Sequence, residues 1–197
     1  MVLNLSQSHK NGPNPANPDP TAPMPAGPIV YNDDGSIDWG NMWDSFCVLA
    51  QDGGPPHRGE MLQAPTNPDT TRTNYHFAVA EIARGIEEVS GLTAVPAEPG
   101  WLKITCPTAS QARWLAEAIH EENVQARHHG TLLFVPVGDG FRLKHEIKNV
   151  ITAVAKTTHY WQAHLATEVK QALILQEKIA ALWHTLGTVV SRRKAKN

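Results

Sequence analysis

The stretch that decides the fold reads TNYHFAVAEIARGIEEVSG (73–91), LTAVP (92–96), AEPG (97–100), WLKITC (101–106), PTASQARWLAEAIHEEN (107–123), VQAR (124–127), HHG (128–130) and TLLFVPV (131–137). In the first segment Tyr75, Val79, Ile82, Ile86 and Val89 recur at steps of three and four, and Gly91 follows as a stop. That is the pattern of an amphipathic helix. LTAVP and WLKITC are short alternating runs parted by AEPG, which reads as a hairpin. In the fifth segment Thr108 stands three residues before Gln111, a capping box, and Ala112, Leu115, Ala116 and Ile119 form the inner face of a second helix. VQAR and TLLFVPV flank the turn HHG as a second hairpin.

The order is therefore α-β-β-α-β-β. It predicts an α+β domain over 73–140: a four-stranded antiparallel sheet with both helices on one face, in a circularly permuted ferredoxin-like layout. Sheets of this kind serve ligand sensors, RNA binders and subunit-interaction domains, so the layout alone fixes no function.

Downstream, residues 141–190 carry Leu143, Ile147, Val150, Val154, Trp161, Leu165, Ala172, Ile179, Trp183, Leu186 and Val190 close to a 3.6-residue period, with no proline between them. A single long amphipathic helix here would extend roughly 70 Å at about 1.5 Å per residue. A break near Thr157–Thr158 into a helical hairpin is the alternative. Strands of ordinary length span only ~17–20 Å, so a long helix overruns the sheet. Its far stripe, with Leu182, Trp183 and Leu186, then needs a second copy to cover it, most simply a homodimer. Residues 191–197 form a basic tail.

Upstream, seven of the fifteen prolines lie between Pro13 and Pro28. Proline fixes φ and lacks the amide donor, so residues 1–30 are expected to be a disordered arm. Residues 31–72 read as a linker carrying a short helix over 38–51. Asp38 serves as its N-cap, Trp39, Trp43 and Phe46 form an apolar face, and Gly53, Gly54, Pro55 and Pro56 stop it. So short a helix is marginal alone in water and must dock, either on its own domain or in a partner's groove.

Composition sets outer limits. With 197 residues, 41% hydrophobic and 18% charged, the chain suits one domain with extensions. No apolar run reaches the ~18–20 residues of a membrane span. MVLNLSQSHK lacks the basic start and apolar stretch of a secretory leader. Two cysteines, Cys47 and Cys106, are too few for a disulfide framework. A cytoplasmic protein is expected. Charge is polarised: residues 1–72 hold eight acids and three bases, 73–140 eight and four, 141–197 three and ten. The basic C-terminal region suits an acidic protein, nucleic acid or anionic lipid.

Chemistry-bearing residues are sparse. Cys106 ends a strand before Pro107 at a helix N-terminus, where the dipole would favour a thiolate. It is the candidate nucleophilic or redox residue, against the plainer reading of a small buried side chain. His128 and His129 in the turn, with His145, His159 and His164 in the last segment, are candidate ligands for a divalent metal. His145 and His159 share a helical face. His159 and His164, five apart, sit 140° apart on an α-helix, and the i,i+4 spacing of helical metal sites is missing. Two classes of function follow. The first is a non-catalytic protein-interaction, assembly or regulatory protein working as a homo-oligomer. The second is a small metal- or thiol-dependent enzyme or sensor built on Cys106 and these histidines.

Overall fold

A computed structural model describes residues 30–41 and 60–194, with side-chain surroundings through Ala180. The arm before residue 30, Trp43, Phe46, Cys47 and the remainder of the 38–51 segment lie outside the described residues, as do residues 195–197.

Helix α1 (Thr73–Ser90) buries Tyr75, Ala78, Ile82, Gly85 and Ile86 on one face. It ends where Gly91 takes a left-handed conformation, φ 68°, and donates its N–H to the Glu87 carbonyl at 2.8 Å. Strands β1 (Ala94–Pro96) and β2 (Trp101–Thr105) form the first hairpin. Helix α2 (Ala109–Glu121) starts at Thr108, whose hydroxyl accepts the Gln111 N–H at 3.1 Å. Strands β3 (Arg127–His129) and β4 (Leu132–Pro136) complete an antiparallel sheet of order β1-β2-β4-β3. Alternation divides the sheet: Leu102, Ile104, Leu133 and Val135 are fully buried beneath the helices, while Trp101, Lys103 and Phe134 point to the opposite, open face.

The third strand departs from expectation. Val124 and Gln125 do not belong to it: the Val124 N–H donates to the Ile119 carbonyl, and the Gln125 N–H donates to the chain upstream of α1. Leu62 forms a parallel bridge with Val124, its N–H donating to the Asn123 carbonyl and its carbonyl accepting from Gln125 N–H. The Ala64 N–H donates to the Gln125 side chain at 2.8 Å. Residues 60–72, read above as part of a linker, thus lie along the domain.

The C-terminal region is not one continuous helix. A π-helical turn (Leu143–Ile147) leads into α3 (Lys148–His159), a second π turn follows (Tyr160–His164), and α4 runs over Thr167–Lys194. The break falls at Leu165, whose backbone is extended (φ −75°, ψ 122°), not at Thr157–Thr158. At the break Trp161 is buried and Leu165 packs against the core. Helix α3 is enclosed on nearly every side and packs against α1 and α2. Gly85 allows that approach: a Cβ there would lie 2.4 Å from the Ile151 Cδ1 methyl and 3.1 Å from the Trp39 ring. Among the described residues no helix is long and apolar enough to cross a membrane.

Candidate functional site

Three features outside the core carry chemistry: the departing helix α4, the aromatic and histidine cluster at the end of α3, and the open face of the sheet.

Helix α4 is tied to the domain at its first half. The Glu177 carboxylate accepts both the backbone N–H of Ser110, at 2.8 Å, and the Ser110 hydroxyl, which also contacts the Leu173 carbonyl. This places an acid at the positive end of α2, where the first turn has unsatisfied amides. Beside the tie, Ser110, Arg113, Trp114, His128, Gln176 and Glu177 help line a cleft of about 540 Å³. On the other side of α4, Ala172, Leu175 and Ile179 follow one another at steps of three and four. Leu175 and Ile179 are 57% and 47% exposed. In the sequence the same spacing continues to Leu182, Leu186 and Val189. The side chains of Leu182, Trp183 and Leu186 lie outside the described residues.

The end of α3 gathers rings. Trp114 of α2 stacks on Tyr160, centroids 5.9 Å apart and nearly parallel, and lies 5.4 Å from buried Trp161. Tyr160 in turn lies 5.7 Å from the His164 ring. His164 Nε2 stands 3.2 Å from His159 Nε2. The expected 140° separation fails because the intervening residues form a π turn, closed by the Leu165 N–H to the Tyr160 carbonyl at 2.9 Å. In that turn the i,i+5 pair, not the i,i+4 pair, stands together.

The other histidines are scattered. His145 belongs to the first π turn, at the far end of α3 from His159, so a shared helical face still leaves them roughly 20 Å apart at about 1.5 Å per residue. His128 and His129 sit on strand β3 rather than in a turn, opposite Leu133 and Leu132. Neighbours on a strand point to opposite faces, so they do not converge. Among the described residues no three His, Cys, Asp or Glu side chains gather as a metal cage.

Cys106 lies in the core and not at a solvent-facing helix end. It is 3% exposed, and burial pushes its pKa up to about 11. The strand that delivers it carries it into the core; its N–H bonds the Thr131 carbonyl at 2.9 Å. Desolvation is the cause, because burial disfavours the charged thiolate.

Trp39 is likewise withdrawn from any partner. Its side chain is fully buried in the chain's own core, and its indole N–H donates to Glu81 of α1 at 2.9 Å. Arg84, held by Glu81 and Glu88, donates to the Ile37 carbonyl at 2.8 Å, and Glu88 accepts the Gly40 N–H at 3.0 Å. One face of α1 therefore clamps residues 37–40 to the domain.

On the open face of the sheet, Arg127 lies over Trp101 and Phe134, at 4.2 and 4.8 Å from the ring centroids, and pairs with Glu98. The composition of the sequence did not reveal this arrangement, because the three residues come from three strands. Their alternation within each strand was the available signal.

Comparison of the chain with protein-family models, with curated proteins and with solved structures finds no match to any of them.

Proposed function

We propose that this is a non-catalytic protein-interaction, assembly or regulatory protein that works as a homo-oligomer through its C-terminal helix, α4. The strand order β1-β2-β4-β3 with an αββαββ sequence supports reading its domain as a permuted ferredoxin-like scaffold. The low cysteine count suits a reducing, cytoplasmic setting.

One observation carries the reading. Leu175 and Ile179 are exposed on the side of α4 turned away from its tie to α2, and the sequence continues their spacing through Leu182, Leu186 and Val189. Exposed apolar side chains one helical turn apart are surface that a second copy can cover. Pairing with the same seam of a second copy buries it with two-fold symmetry, the commonest closed arrangement. The basic residues Arg192, Arg193, Lys194 and Lys196 beyond the seam would then be presented in duplicate to an acidic partner, such as nucleic acid, anionic lipid or an acidic protein.

Sedimentation of the full chain at micromolar concentration tests this. The wild type should run as a dimer, and Leu182→Asp with Leu186→Asp should yield a folded monomer. A monomeric wild type, or a dimer indifferent to both substitutions, would overturn the reading.

A further inference from the structure

We propose that His159 and His164 form a two-imidazole chelate for a divalent transition metal of the nickel, copper or zinc kind. The pairing arises from backbone geometry. A spacing of five is wrong for an α-helix, yet the π turn over Tyr160–His164 places the two rings side by side. Such turns are rare and occur disproportionately at functional sites.

The distances suit a shared ion. Metal–imidazole bonds are about 2.0–2.1 Å. Two nitrogens 3.2 Å apart would then subtend an angle of about 100° at the metal, given bonds of about 2.05 Å. That lies between the square-planar or octahedral and the tetrahedral values. The spacing widens from 3.2 Å at the nitrogens to 5.1 Å at the ring centres. Rings so spaced leave room for an ion about 2.1 Å from each nitrogen. Two lone pairs facing at this distance repel unless a cation or a proton lies between them. A metal ion in that position requires both Nε2 atoms to offer their lone pairs to it.

The pair is also held in place. Tyr160 packs on His164 and is itself stacked on Trp114, which leans on buried Trp161, so a helix of the domain supports the rings. His164 is exposed and His159 half-buried, leaving the remaining coordination positions to water or to a ligand brought by a partner. Imidazole donors favour nickel, copper and zinc over magnesium or calcium, which prefer oxygen.

Titration of the full-length protein with nickel chloride by calorimetry, and with copper(II) by electron paramagnetic resonance, provides the test. One equivalent should bind, with nitrogen couplings from two imidazoles. His164→Ala and the shape-conserving His159→Gln should each weaken binding about tenfold or more, since even outer-shell changes cost about 10–100-fold. His128→Ala with His129→Ala should leave the affinity unchanged. Circular dichroism establishes that each variant is folded; His164, being exposed, tolerates replacement. A wild type that binds neither metal, or one whose affinity survives loss of both His159 and His164, would overturn the proposal.

Discussion

The Glu177 carboxylate on α4 caps α2 at Ser110, taking both the backbone N–H and the hydroxyl of that residue. Thr108 takes the next amide, that of Gln111, so two residues 69 positions apart share the N-terminus of α2. One cap is local in sequence. The other is a tertiary contact that sets where the C-terminal helix leaves the domain.

Glu177→Ala should cost about 0.5–2 kcal/mol, the ordinary range for a lost N-cap. Hydrogen exchange should quicken at the Ser110 amide and across residues 167–180 together. Thr108→Ala should cost a similar amount and leave 167–180 protected. Equal effects of the two variants on α4 would show that Glu177 does not anchor it.

Trp39→Ala should destabilise the domain by about 3–5 kcal/mol in urea unfolding, as removal of a large buried ring does. Trp39→Phe keeps most of the packing and loses the bond to Glu81, a change of about 1 kcal/mol. A small loss on Trp39→Ala would place this ring outside the core.

Gly85→Ala tests the contact between α1 and α3. Helix propensity favours alanine by about 1 kcal/mol, whereas overpacking costs about 1–3 kcal/mol. The variant should be destabilised on balance. Ile151→Val removes the methyl that the new Cβ would meet, so the double variant should recover part of the loss. Additive losses would rule out the proposed clash.

Cys106 should resist alkylation by iodoacetamide near pH 8, where a thiol with a pKa of about 11 is almost wholly protonated. Its rate should climb as pH rises from 9 towards 11, because only the thiolate attacks. Urea should restore the rate of an ordinary thiol. Peptide mapping separates Cys106 from Cys47. Rapid labelling of folded protein at neutral pH would contradict the burial.

Local order was legible in the residues themselves. The steps of three and four between Tyr75 and Val89, the stop at Gly91 and the cap at Thr108 are short-range patterns, and a helix needs nothing more distant to start and end. The alternation in WLKIT and LLFVP likewise reported a sheet with one covered face. Sequence pattern and structure part where distant segments compete for the same groups. Val124 and Gln125 have strand-like composition, yet their amides go to Ile119 and Leu62, and pairing shifts to Arg127–His129.

Cys106 shows the same limit from the side of electrostatics. Its position before a helix was plain from the sequence, but its acidity depends on how much water reaches the sulfur, which is set by everything packed around it. The pairing of His159 with His164 was hidden for a different reason. A π turn is a change in backbone hydrogen bonding without a residue signature, so angular arithmetic at 100° per residue sends the second ring to the wrong side.

The sequence by itself determined the succession αββαββ, the covered face of the sheet and the apolar stripe of the C-terminal region, because each follows from periodicity along the chain. Only the tertiary structure decided that Trp39 belongs to the core, that the chain turns at Leu165, and that Glu177 holds α4 against Ser110. Those outcomes depend on which surfaces meet, and burial and hydrogen-bond satisfaction are properties of the assembled whole.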